Sequence, residues 1–399
     1  MIFSLIEQII DNLSKFSNSI DSIVLKGRES SKNIEETSPQ NVSLLTENSH
    51  RIITPIQNIN DTNINKHSIG LIDGSTRRIR YNIATIYLAG VAIYDKIIKI
   101  YPSLQDIYNL SKILTPFIAI KAPRYILYQI ENTINTDLVY TRSPIGREYD
   151  EEYDEDSISD ELRTRIETKT LEELIRENYN DVIIIDGPIY FAYPALVRDD
   201  HYARAQRKLI KERTQILNNS KIPVIGIAKR IEKSRKICKC REFIDLICRE
   251  FKLRGIENLE DVIIVECIAN RLKLRKFIVG PFKSMYVSNK IDGYVIYPDR
   301  VFWYVYVEQP HVFKRIFRIE VLYEHYRKYY DIIEDTIHVL LNNLSMSGLP
   351  LPLDIVDRFA KKSTAILYRQ AVVYSLVRGI SITHDTYEEY VSIRREYGD

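Results

Sequence analysis

The period of the apolar positions changes along this chain, and those changes divide it. In MIFSLIEQIIDNLSKF the apolar residues recur every three or four positions, which predicts an amphipathic helix over residues 4–16. From about 28 to 66 the period lapses into Ser, Asn, Thr, Lys and Glu, the mark of a linker or mobile arm. SIGLIDGSTRRIRYNIATIYLAGVAIYDKIIKI, at 68–100, holds three short runs of Ile, Val, Tyr and Thr separated by charge or glycine. These read as adjacent antiparallel strands. A helix is expected within 103–132.

Helical spacing returns in ISDELRTRIETKTLEELIREN (158–178), which feeds the strand VIIIDGPIYF (182–191). A second helix over 197–219 feeds a second buried strand, IPVIGIAKR, at 222–230. Helix alternating with strand predicts an α/β layered fold. Further strands are expected at 261–267, 293–297, 301–307 and 315–321, with a mainly helical part from about 322. REYDEEYDED, at 147–156, crowds acids around tyrosines and is hard to bury, so a solvated loop is expected there, or a surface for a basic partner.

The composition narrows the class of protein without naming a partner. With 399 residues, 45% apolar and 28% charged, the chain can build its own core and is neither disordered nor membrane-embedded. Lys and Arg number 56 against 54 Asp and Glu, which excludes a uniformly basic protein but leaves room for local basic patches. Cys238, Cys240, Cys248 and Cys267 fall in one short region. They form no disulfide framework, and their spacing is wrong for a zinc knuckle. The first residues lack the basic start of a secretory signal, and no run of about 20 apolar residues occurs. A soluble, cytoplasmic protein is expected.

The sharpest candidate chemistry lies at two strand ends. Asp73 in LIDGS and Asp186 in IIIDGP each close an apolar strand before a glycine. One Asp-Gly pair is an ordinary turn former. Two at the ends of strands in one sheet point to a shared cation, which offsets the repulsion between converging carboxylates. Glu167, on the helix before the second strand, is the expected third ligand; Glu172 and Glu173 compete, and a solvated helix face is the ordinary alternative. Three oxygen donors suit Mg²⁺ or Mn²⁺ better than Zn²⁺. Such ions, singly or as a pair about 4 Å apart, activate water and stabilise charge on phosphate. Lys229, with Arg230 beside it, ends VIGIAKR where it can either approach a phosphate or simply meet solvent.

Two basic runs, KRIEKSRKICKCR (229–241) and RLKLRK (271–276), suit a nucleic-acid backbone, although Glu and Cys interrupt the first. Phe302, Trp303, Tyr304 and Tyr306 lie along one strand and are expected in the core rather than stacked on bases. In FRIEV (317–321), Arg318 and Glu320 share one face, either as a buried ion pair or at the edge of an active cleft. His201, His311 and His338 stand apart and form no metal cluster.

Taken in order, LIDGSTR, RTRIE, IIIDGPI, VIGIAKR, FRIEV and GLPLPLDIVDRFA (348–360) make the chain resemble the NurA family of DNA end-processing nucleases over about 68–378. The resemblance implies an RNase H-like core, a mixed sheet flanked by helices with added strands and a mainly helical C-terminal part. It divides the chain into an N-terminal helix and polar arm (1–67), a nuclease domain (68–378) and a tail (379–399). It implies Asp73, Glu167 and Asp186 as ligands of catalytic Mn²⁺ or Mg²⁺, 5′ to 3′ exonuclease action on DNA ends with single-strand endonuclease activity, a homodimer, and docking on a HerA-like hexameric ATPase.

The late motif departs from the family pattern. NurA-like proteins usually carry tyrosine after its glycine and histidine eight residues later, where this chain has Leu349 and Asp357. Leucine donates no hydrogen bond, whereas Asp357 can bind a cation but cannot act as a neutral imidazole. The expected function is a metal-dependent deoxyribonuclease using Asp73, Glu167, Asp186 and Lys229, with Asp357 as a further metal ligand. The alternative is a catalytically weak or inactive DNA-binding subunit that regulates the translocase.

Overall fold

The computed structural model describes residues 2–17, 41–45, 52–56, 67–102, 115–134, 138–190, 201–252, 255–256, 258–285, 290–291, 294–295, 297–309 and 313–397. The first half contains α1 (Ile2–Ser17), β1 (Asn41–Leu44), β2 (Ile53–Pro55), β3 (Ile69–Arg80), β4 (Thr85–Asp95), β5 (Ile97–Tyr101), β6 (Ile118–Lys121), α2 (Arg124–Thr133) and β7 (Val139–Tyr140). The middle contains α3 (Glu155–Glu177), β8 (Val182–Asp186), α4 (His201–Asn219), β9 (Val224–Ala228), α5 (Arg241–Phe251) and α6 (Asp261–Leu272). The remainder contains β10 (Lys276–Met285), β11 (Lys290–Ile291), β12 (Tyr294–Val295), β13 (Arg300–Gln309), β14 (Phe313–Leu322), α7 (Tyr323–Lys328), α8 (Tyr330–Asn342), α9 (Leu351–Val377) and α10 (His384–Tyr397).

Twelve strands form one mixed sheet in the order β1-β10-β13-β14-β9-β8-β3-β4-β6-β7, with β2 on β10 and β5 on β4. At its centre β3 pairs antiparallel with β4, while β3, β8 and β9 run parallel. An antiparallel meander, a crossover through a helix (α3) and two further parallel strands give the order and polarity of an RNase H-like core. The antiparallel strands β10, β13 and β14 extend it beyond β9.

The central strands are apolar on both faces because both faces are covered. Ile183 and Ile185 pack in one cluster with Ile166 and Leu171 of α3, whereas Val182 and Ile184 pack in another with Leu353 and Val356 of α9. Each such buried side chain contributes about 2 kcal/mol. Helix α9 starts at a proline-flanked turn, with Pro352 in the first turn where no backbone donor is needed. Its early residues Leu353, Val356 and Ala360 join the second cluster, and its later residues Leu367, Tyr368 and Ala371 join the first.

The helix expected within 103–132 is present as α2, with strand β6 before it, and residues 103–114 lie outside the described residues. Other sequence expectations are corrected. The segment 261–267 is helical, not extended, because Ile264, Val265, Ile268 and Ala269 are buried at three- and four-residue spacing. The polar arm supplies strands β1 and β2, which pair with β10. The acidic stretch 147–156 is solvated only in part, since Glu151, Glu152 and Asp156 are exposed while its other residues are anchored in the fold. Tyr149, Asp150 and Tyr153 are buried: both tyrosine hydroxyls donate to Glu161 at 2.7 Å, and Arg124 pairs with Asp150 at 2.9 Å. Asp154 caps α3 by accepting from the Ser157 backbone. At the other end of the chain, Tyr374 of α9 donates to Asp11 of α1, and Arg77 of β3 pairs with Glu389 of α10.

Candidate metal centre

The site forms where β8 ends and β3 continues. The parallel register pairs Ile72 with Ile185, so Asp73 and Asp186 occupy the next rung and project from the same face. Gly187, at φ +125, turns the chain away, and its N–H donates to Ile227 O at 2.9 Å. A side chain at that backbone angle would be strained, which explains why glycine follows the aspartate. Helix α9 brings Asp357 to the same place. Asp73, Asp186 and Asp357 each offer a carboxylate oxygen, all within 4.8 Å of one another. The carboxyl ends of parallel strands are the usual location for α/β binding sites.

Cations on this chain already face these acids. Lys229, just past β9, places its Nζ 2.6 Å from Asp186 and 3.8 Å from Asp357. Lys361, one turn along α9, reaches Asp357 at 2.7 Å. Arg163 of α3 donates to Asp73 at 3.1 Å. Even so, burial raises the Asp73 pKa well above the usual carboxylate range, with the Asp186 charge adding to it. Burial raises Asp186 too, against the pull of Lys229. Burial alone would raise Asp357, but Lys361 and Lys229 hold it low.

Glu167 stands next to this group, with its oxygens divided between two guanidinium groups. Arg163 donates to Oε1 at 2.6 Å and Arg213 to Oε2 at 3.1 Å. It approaches β3 at Gly74, where an added Cβ would come within 2.7 Å of Glu167 Oε1, so glycine makes room for the carboxylate. Burial opposes ionisation of Glu167, but Arg163 and Arg213 outweigh it and hold the carboxyl below its usual range. Glu172 and Glu173 pair instead with Lys169 and Arg176 on their own helix.

The donors are all carboxylate oxygens, a hard set suited to Mg²⁺ or Mn²⁺ and not to a thiolate-type zinc site. A family model described as the NurA domain matches residues 67–361 of this chain. The chain belongs to the NurA family. No curated protein matches its sequence. Among solved structures it is similar to the NurA nuclease from Sulfolobus solfataricus, at 13% identity over 77% of this chain and 88% of that one, with a TM-score of 0.39. A structure described as NurA with manganese shares 12% identity over 91% of this chain and 97% of that one, at a TM-score of 0.30. A third, described as NurA bound to dAMP and manganese, shares 10% identity over 89% and 90%, at a TM-score of 0.32.

The NurA match takes in Asp73, Glu167, Asp186, Lys229 and Asp357. The other candidates disperse. Arg318 and Glu320 form a buried ion pair at 2.6 Å, and Trp303 is buried in the core. Leu349 is buried in the cluster that holds Leu353. The basic run 229–241 is broken as a surface, because Lys236 and Cys240 are buried while Arg230, Lys233 and Arg235 are exposed. The run 271–276 presents Arg271, Lys273 and Arg275 to solvent. His201 lies against Arg147 at 2.6 Å, and His311 is outside the described residues. The four cysteines are free thiols. Among the described residues no helix is long and apolar enough to cross a membrane.

Arg163, Arg213 and Lys361 were not among the sequence candidates. Arg163 had a legible signal, since it precedes Glu167 by one helical turn in RTRIE. Arg213 had none: its partner is 46 residues away in sequence.

Proposed function

We propose that this NurA chain is a divalent-metal-dependent deoxyribonuclease that processes DNA ends. The observation that carries the reading is the convergence of Asp73, Asp186 and Asp357, within 4.8 Å, where β8 ends beside the middle of β3 and under α9. Three carboxylates so close repel one another unless a cation joins them, and Mn²⁺ or Mg²⁺ is the cation their oxygens fit. When bound, such an ion supplies Lewis acidity for the scissile phosphate and lowers the pKa of water. The protein supplies the remaining parts. Asp73 and Asp186 are fixed by paired strands and Asp357 by a long packed helix, so little reorganisation is needed. Lys229, only 16% exposed, is held at the same edge, where its N–H groups can donate to a phosphate oxygen. Glu167 stands beside this trio on α3, with its oxygens held by Arg163 and Arg213.

The finer features follow the family resemblance: 5′ to 3′ exonuclease action with single-strand endonuclease activity, a cytoplasmic homodimer, and work with a HerA-like hexameric ATPase. Leu349 favours a second reading. Its side chain is buried among apolar residues, where the family usually presents a tyrosine hydroxyl. In that reading the chain is a weak or inactive DNA-binding subunit that regulates the translocase.

The test is cleavage of end-labelled single-stranded and duplex DNA with Mn²⁺. Cleavage by the natural protein, lost in Asp73→Ala and Asp186→Ala with the fold intact, supports the nuclease. No cleavage, with DNA binding retained, supports the regulatory subunit. Wild-type rates in both variants remove the site assignment.

A further inference from the structure

We propose that Arg163 and a divalent cation are alternative partners of Asp73 and Glu167, so that Arg163 withdraws when the cation enters and Glu167 becomes a ligand only then. This inference rests on the metal-dependent reading above. It starts from how unequally the two arginines on Glu167 are themselves anchored. Arg213 is 4% exposed and fixed three ways, donating to Thr168 Oγ1 at 2.9 Å, Thr164 O at 3.2 Å and Glu167 Oε2 at 3.1 Å. Arg163 is 40% exposed and spans Asp73 Oδ1 at 3.1 Å and Glu167 Oε1 at 2.6 Å. A guanidinium that reaches solvent can regain water when it lets go, whereas a buried one loses its partners outright.

The position of Arg163 also conflicts with a cation, as do those of Lys229 and Lys361 on the other two carboxylates. One of its two acceptors, Asp73, belongs to the trio of converging carboxylates. Two positive groups on one carboxylate repel each other strongly at such range. Withdrawal of Arg163 frees Asp73 Oδ1 and Glu167 Oε1 together, while Arg213 keeps Glu167 from following it. Arg163 is thus a positioning residue. It holds the acids in place before the ion arrives, and it weakens the ion's apparent affinity because the ion must displace it.

The experiment titrates Mn²⁺ into DNA-free wild type, Arg163→Gln and Arg163→Lys, following free Mn²⁺ by electron paramagnetic resonance, with thermal melting in the absence of divalent ions. Arg163→Gln is expected to melt lower than wild type without metal yet to bind Mn²⁺ about tenfold more tightly. Arg163→Lys, which keeps the charge but loses the forked contact, should tighten binding by a smaller factor. Packing damage alone lowers both quantities, so the opposite signs distinguish a competitor from a structural brace. Equal or weaker Mn²⁺ affinity in folded Arg163→Gln overturns the proposal, and if that variant does not fold, equal or weaker affinity in Arg163→Lys does so. Failure of wild type to bind Mn²⁺ overturns the metal-dependent reading as well; binding by wild type with unchanged variants overturns this inference alone.

Discussion

Two clusters of buried charge share one sheet and are built in opposite ways. At Glu320, one oxygen accepts from Arg318 at 2.6 Å and lies 3.8 Å from Lys236, while the other accepts from Arg300 at 2.9 Å. Arg300 also reaches the Tyr190 carbonyl, and Arg318 the Ser234 hydroxyl. Beside them Asp261 accepts from Ser234, from the backbone of Lys236 and Ile237, and from Tyr304. Cations and donors surround each acid, and Arg300, Arg318 and Glu320 are at most 2% exposed. Around Asp73 the acids are in the middle, and although Lys229 and Arg213 are enclosed, Arg163 and Lys361 lie at the rim, 40% and 54% exposed. The first arrangement is saturated and has no need of a ligand. The second keeps like charges together, with two of its counterions, Arg163 and Lys361, partly in solvent, which is what a site that takes up a cation requires.

The widest separation between the two should come from one chemical change made in both places. Glu320→Gln leaves Arg300, Arg318 and Lys236 buried around a neutral amide, and breaking such a network costs about 3 kcal/mol of unfolding free energy. Asp73→Asn removes one of three crowded carboxylates, so in metal-free protein the loss of its Arg163 contact is offset by relief of repulsion from Asp186 and Asp357. Urea unfolding without divalent ions should show Glu320→Gln strongly destabilised and Asp73→Asn equal to wild type or more stable. Similar losses in both variants would break the distinction.

The same contrast accounts for what the sequence disclosed. Asp73 and Asp186 are legible from the local pattern of an apolar run, aspartate and glycine, although only Asp186 ends its strand: Asp73 lies within β3, which continues through Gly74 to Arg80. So are α3 and α4, from helical spacing, and β8 and β9, from short unbroken apolar runs. Asp357 entered only through the family motif, since nothing in LDIVDRFA says that its helix will cross the strand ends. The burial of Tyr149, Asp150 and Tyr153 within the acidic stretch is not legible, because it depends on Glu161 and Arg124, which meet them only in the folded chain. Helix α6 was misread because DVIIVECIAN is rich in β-branched residues, and a short apolar run of this kind fits either period. Local signals carried the elements; counterions and partners across the fold were invisible.

Glu161 tests an intermediate case, an acid enclosed by hydroxyls. Burial pushes its pKa up to about 7, with Tyr153, Tyr149 and Arg165 pulling the other way. A folded pKa above the unfolded one means that its stabilisation is complete below about pH 4.5 and is lost as pH rises through about 7. The full difference is on the order of 3 kcal/mol. Unfolding free energies of wild type and Glu161→Gln, measured across this window, should differ by a gap that moves against wild type as pH rises. A gap independent of pH would mean that the tyrosine hydroxyls keep Glu161 ionised, and that saturation by neutral donors equals saturation by cations.

The smallest effect is expected at the rim. Lys361 meets Asp357 at 2.7 Å across one helical turn, with the lysine 54% exposed. Water already solvates most of that ammonium, so its attraction to Asp357 is screened and partly spent on ordering a long side chain. Lys361→Ala should therefore change the metal-free unfolding free energy by no more than about 0.5 kcal/mol, and the difference should fade at high salt. A loss several times larger that persists in high salt would place Lys361 with the closed network around Glu320. The rim of the metal centre would then be as fixed as the buried pair, and a counterion that gives way to metal would have to be sought elsewhere.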